Sequence, residues 1–208
     1  MKFVLLVEGR TERDALPSFL KRWLDPRLNQ RVGIQPVKFN GWRDMNKSLA
    51  KKARSHLDSP ARQGIIAVIG LMDLYGPDFY PPNKTTPLER LNWATEKFEE
   101  KVRDKRFRMF FAVHETEAWL LSKPDMFPTE VASAFPGKVK KPEEVNFDDH
   151  PSRLLDRLYR EKTLHTYKKT EHGVDLFSRL DPEVAYDKCP QLKRMLDEMR
   201  RMAEAAGM

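Results

Sequence analysis

The chain has one cysteine, Cys189, in 208 residues. A single thiol excludes an internal disulfide framework and any zinc site built on cysteines, and it points to a reducing compartment. Long apolar runs are missing too. The N-terminal run, residues 3–7, is closed by Glu8. It is too short for a signal peptide and far from the ~18 apolar residues of a membrane span. The expectation is a soluble cytoplasmic protein with no membrane partner. No internal repeat, low-complexity tract or Gly-rich P-loop is seen, so the chain carries no ATP-phosphate cradle of that kind.

What is present suits a packed protein. Hydrophobic residues make up 40%, and 12 Phe with 4 Trp argue against disorder. The length allows one ordinary domain, or one with an appendage. Lys plus Arg number 38 against 31 Asp plus Glu, a net charge of +7. That excess permits a polyanionic partner without requiring one.

Strand and helix patterns alternate up to residue 122. Residues 3–7 and 64–72 are continuous apolar runs, the mark of strands buried on both faces. Residues 107–113 form another strand, and 32–39 a further one whose Pro36 marks it as an edge. Between them lie helix stripes: Ala15, Leu16, Phe19, Leu20, Trp23 and Leu24; residues 44–57 with Asp44 as N-cap; and Leu88, Leu91, Ala94, Phe98 and Val102. A helix begins again at Glu115. This order predicts an α/β fold, a mainly parallel sheet flanked by helices, over 1–122. Residues 123–151 hold Pro124, Pro128, Pro136, Pro142 and Pro151 and read as a loop or extended appendage; 152–205 read as helices. Whether this 123–208 extension packs on the sheet or forms a small lobe stays open.

In open α/β sheets chemistry gathers beyond the carboxyl ends of the strands. Each strong strand here is followed by acids: Glu8 and Glu12 after the first, Asp73 after the third, Glu115 and Glu117 after the fourth. Such carboxylates repel one another unless a cation joins them, and hard oxygen ligands suit Mg²⁺ or Mn²⁺. The plainer account is also open: Glu12 as a favourable charge at a helix N-terminus, Arg10 and Arg13 as neutralisers, Asp73 as a structural acid. If the strand ran on through 117, Glu115 and Glu117 would share a face; if a helix began at 115, they would diverge. His114 at its strand end reads more readily as structural than catalytic. Lys51, Lys52 and Arg54 read more readily as a solvated helix face than as phosphate contacts, and Trp119 and the C-terminal Met stripe as core.

The segment Val7-Glu8-Gly9-Arg10-Thr11-Glu12 resembles the VEGxTE signature of the Toprim fold. Met72-Asp73-Leu74-Tyr75-Gly76, Asp78-Phe79-Tyr80-Pro81, His114-Glu115-Thr116-Glu117-Ala118-Trp119-Leu120-Leu121, Tyr167-Lys168-Lys169 and Cys189-Pro190-Gln191-Leu192 resemble, in that order, a Toprim-like group, the domain-of-unknown-function family 4276. The resemblance implies a catalytic glutamate at Glu8, with Glu12 and Arg10 beside it, and a metal bound by acids after a later strand. Toprim proteins carry an Asp-x-Asp pair there. Here it reads Asp73-Leu74-Tyr75, and Glu115 or Glu117 is the candidate for the missing charge. Arg10, Lys168 and Lys169 are the candidate nucleic-acid contacts.

The implied function is a Mg²⁺- or Mn²⁺-dependent phosphodiesterase, a nuclease, in a phage- or mobile-element-defence setting, with an ATPase as a partner protein. The alternative is a non-catalytic nucleic-acid-binding or regulatory module, which Tyr75 favours. A phosphoryl or nucleotidyl transferase is weaker, for want of a phosphate-cradling loop.

Overall fold

The computed structural model describes residues 1–58, 63–144, 149–163 and 165–208. Residues 145–148 of the proline-rich stretch and residue 164 of the helical tail lie outside them. Four strands, β1 (Lys2–Val7), β2 (Gly33–Lys38), β3 (Ile65–Asp73) and β4 (Phe107–Ala112), form one sheet in the order β2-β1-β3-β4. Every pairing is parallel. β1 and β3 are interior, and all but their end residues are buried. This is why both read as unbroken apolar runs. β2, with Pro36, lies at an edge, where proline is tolerated.

Helices α1 (Arg10–Leu24), α2 (Gly41–Leu57) and α3 (Pro87–Val102) follow the first three strands. Right-handed crossovers and the reversal of strand order put α1 on one face and α2 and α3 on the other. Phe3, Leu5, Ile69, Leu71 and Phe110 share a core with α1; Val4, Leu6, Val68, Met72 and Phe111 share one with α2 and α3.

After β4 come α4 (Glu117–Leu121), α5 (Thr129–Ala132), α6 (Pro151–Thr163), a π-helical turn (Lys169–Gly173), α7 (Val174–Arg179), α8 (Pro182–Lys188) and α9 (Pro190–Ala205). The stretch that read as loop contains the single turns Pro124–Met126, Gly137–Lys140 and Pro142–Glu144 as well as α5. Of its prolines Pro151 opens α6, as Pro87, Pro182 and Pro190 open α3, α8 and α9 elsewhere, a position where the missing N–H costs nothing. The helices beyond 122 share the α1-side core. Phe19 of α1 meets Trp119 of α4 at 6.2 Å and Phe177 of α7 at 5.5 Å. No helix among the described residues is long and apolar enough to cross a membrane.

Three local expectations need correction. α2 starts at Gly41 with Asn40 as its N-cap, because the Gly41 N–H bonds the Glu8 carbonyl at 3.1 Å. Asp44 instead lies one turn in and accepts the Asn40 N–H at 3.0 Å. α4 starts at Glu117 rather than Glu115, and 113–116 form a connection with a cis peptide between Val113 and His114. Leu88, on the first turn of α3, is 63% exposed, and the buried stripe begins at Leu91.

Candidate functional site

The strand order reverses at β1. The loops leaving β1 and β3 turn to opposite faces of the sheet, which opens a crevice at the carboxyl ends of those two strands. A cleft of about 330 Å³ lies there, lined by Glu8, Arg10, Glu12, Lys38, Asp73 and Lys169 among others. Glu8 directly follows β1, and Asp73 is the last residue of β3. The Asp73 N–H points at Glu8 Oε2, 3.4 Å away. Gly9 matters through space: a Cβ there would lie 2.6 Å from Glu12 Oε2. Without one, the Glu12 carboxylate folds back over the strand end. Thr116 ties the third strand end in, donating its N–H to Asp73 Oδ1 at 3.1 Å and its hydroxyl to Glu12 Oε1 at 3.3 Å.

Glu115 and Glu117 leave the chain in different surroundings and still meet at one group. Glu115 accepts the Ser152 N–H at 2.9 Å, on the first turn of α6, and the Ser152 hydroxyl at 3.1 Å, with His150 Nδ1 at 3.0 Å. Glu117 is 1% exposed. Lys169 Nζ lies 3.1 Å from Glu117 Oε2 and 3.5 Å from Glu115 Oε1. Close packing of the π-helical turn delivers it: a Cβ on Gly173 would come within 3.1 Å of the Tyr167 hydroxyl and 3.2 Å of Thr11 Cγ2. Among the described residues Glu117 Oε1 accepts no hydrogen bond.

The carboxylates differ in charge balance. Burial lifts the Glu8 pKa to about 7, and Glu12 repels the charged form, against hydrogen bonds from the Asp73 and Trp42 backbones and the charge of Lys169. Asp73 is pushed well above the usual range by burial; Lys169 opposes the rise, and Glu12, Glu8 and Glu115 add to it. Burial likewise lifts Glu117 to about 7 against the pull of Lys169. For Glu115 burial is outweighed by Lys169, Ser152 and His150, and its pKa falls. Burial works against the Lys169 ammonium, yet Glu117, Asp73 and Glu115 prevail and hold its pKa above the ordinary lysine value.

Among the described residues neither Glu8 nor Asp73 forms an ion pair, since Lys169 bonds Glu115 and Glu117 instead. Carboxylate oxygens are the kind of donor that a hard divalent ion such as Mg²⁺ or Mn²⁺ takes. Among the described residues no three acidic, histidine or cysteine side chains already stand gathered as metal ligands.

A family model, Domain of unknown function (DUF4276), matches residues 7–200. The chain belongs to this family. No curated protein matches it by sequence. Among solved structures, this DUF4276 chain is similar to the C-terminal region of the Burkholderia pseudomallei OLD protein at 18% identity and a TM-score of 0.47, covering 97% of this chain and 98% of that one. It is also similar to the C-terminal region of the Xanthomonas campestris pv. campestris OLD protein, at 16% identity and a TM-score of 0.49, covering 99% and 98%.

The remaining candidates of this DUF4276 chain are spread over the molecule. Arg10 is on the cleft wall but 70% exposed, with Asp14 at 3.6 Å. Lys168 points to Glu171 at 3.3 Å and is exposed, unlike its neighbour Lys169. Tyr75 stacks on His150 at 4.2 Å. His114 is 3% exposed, and burial lowers its pKa. Arg54 donates to the carbonyls of Lys101 and Val102 at the end of α3, and Lys52 sits over Phe39. Trp119, Met195 and Met199 are core. Sequence reasoning missed Thr116, His150 and Ser152. Only Ser152 carried a signal, as a hydroxyl residue just after the helix-opening Pro151.

Proposed function

We propose that this chain is a Toprim-like, divalent-cation-dependent phosphodiesterase acting on nucleic acid. The observation that carries the reading is that the Asp73 backbone N–H reaches Glu8 Oε2 at 3.4 Å, which brings two acids 65 positions apart to one cleft. Glu8 and Asp73 would hold the cation, with Glu12 beside them. When bound, Mg²⁺ or Mn²⁺ supplies a Lewis-acid charge that polarises a phosphoryl oxygen.

The protein's own groups do the rest. Without a metal Glu8 titrates at about 7; a cation bound beside it would hold the carboxylate ionised as a ligand. Lys169, still 38% exposed, offers a fixed positive charge to the phosphate. Arg10 and Lys38 on the cleft wall attract the backbone by charge. Thr116 fixes Asp73 and Glu12 relative to each other.

The test is cleavage of single- and double-stranded DNA and RNA with Mg²⁺, Mn²⁺ or EDTA. Cleavage should need the metal and be lost in Glu8→Gln and Asp73→Asn. Undiminished cleavage by either folded variant would overturn the reading. A second reading, a non-catalytic nucleic-acid module, is favoured by Tyr75, a neutral ring packed on His150 where the Toprim pattern has an acid. Nucleic-acid binding without cleavage under any divalent metal would select it.

A further inference from the structure

A second feature adjoins the cleft. The N-terminus of α2, whose Gly41 N–H bonds the Glu8 carbonyl, continues with Trp42 and Arg43. Trp42 meets Phe79 edge-on at 5.9 Å. Phe79 lies on the loop that leaves Asp73, and its ring is 4.7 Å from Tyr80 and 6.2 Å from Trp93 of α3. All four rings are only half-buried, whereas Phe98, beneath Phe79 at 5.8 Å, is fully enclosed.

Cations alternate with these rings. The Arg43 guanidinium lies 4.5 Å from the Trp42 ring centre, the Lys97 ammonium 4.0 Å from Phe79 and 4.7 Å from Trp93, and the Arg90 guanidinium 5.1 Å from Tyr80. The opposing acids are few and solvated. Asp78 pairs with Arg43 at 3.3 Å, with both side chains largely exposed, so the pair contributes little. Glu96 and Glu100 line the groove beyond Trp93 and Lys97.

Half-buried rings with cations lying over them match the chemistry of an unpaired strand: bases stack on rings or guanidinium planes, and phosphates meet the charges. A duplex hides its base faces and cannot use the rings. We propose that the Trp42–Phe79–Tyr80–Trp93 band holds a single-stranded segment of nucleic acid that enters the Glu8–Asp73 cleft. This rests on the phosphodiesterase reading and adds the strand class and its path.

The test uses the full chain in EDTA, so that binding is read without cleavage. Anisotropy of a labelled oligothymidylate of about a dozen nucleotides is compared with a duplex of the same length. The single strand should bind tighter and quench tryptophan fluorescence. Trp42→Leu should weaken it about fivefold or more, while Trp42→Tyr retains most of the affinity. Because Trp42 also packs on the core, Arg43→Glu and Lys97→Glu are the safer probes. Each should weaken binding and flatten its salt dependence by about 0.7 for every phosphate that is no longer neutralised. Equal or tighter duplex binding, no binding at low salt, or unchanged affinity and slope in both charge variants overturns the band. Metal-dependent cleavage, assayed separately, decides the phosphodiesterase reading whatever the band does.

Discussion

Replacing Lys169 by methionine keeps the length of the side chain and removes its charge. Glu117, 1% exposed and 3.1 Å from the ammonium, then loses its counter-ion, and Glu115 loses one of its partners. Breaking a buried pair by deleting one member costs about 3–5 kcal/mol. Lys169 is 38% exposed, so solvent already screens part of the interaction, and about 3 kcal/mol is expected. In a chain of this size that is a fall of about 6–12 °C in Tm. The loss should depend on pH. Glu117 titrates near 7 when Lys169 is present. Without Lys169 the Glu117 pKa rises further, so above pH 7 the variant must keep a proton that the parent has released; below about pH 6 Glu117 is protonated in either protein and the gap narrows. Calorimetry at pH 5.5 and pH 8, with Glu117→Gln added to Lys169→Met as the rescue, reads this out. A deficit of the same size at both pH values, or no gain from the second substitution, would refute the pairing.

The metal-free protein should lose stability as pH rises. Glu8 and Glu143 each titrate near 7 rather than at the ordinary 4.5. The unfolded chain therefore releases these protons first, and stability falls between about pH 4.5 and pH 7, by up to about 3 kcal/mol per group. Glu143, which accepts the Gln191 and Leu192 N–H groups at the start of α9, lies outside the acid cluster, so Glu143→Gln should flatten the slope while leaving any metal response intact. Glu8→Gln should melt higher than the parent at pH 8 without metal and gain less from Mg²⁺; an equal Mg²⁺-induced Tm gain in both would count against Glu8 as a ligand. Gly9→Ala should fold normally, since its φ of −134° suits any residue, yet displace the Glu12 carboxylate; wild-type metal affinity in that variant would remove Glu12 from the site.

Local pattern alone was enough for much of this fold. β1 and β3 were legible because strands buried on both faces must be apolar throughout, and Pro36 marked the edge. The acids at the strand ends were legible because a parallel sheet sends every carboxyl end to one rim. Other features depend on contacts between distant segments, which leave no local trace. The start of α2 at Gly41 follows from a bond to the Glu8 carbonyl. The meeting of Glu115 and Glu117 follows from Lys169, more than fifty residues later. Lys168 and Lys169 are identical neighbours in composition and charge. Only the packing of Gly173 against Thr11 and Tyr167 turns one toward solvent and the other into the carboxylates, because where a side chain points depends on what the rest of the chain leaves room for.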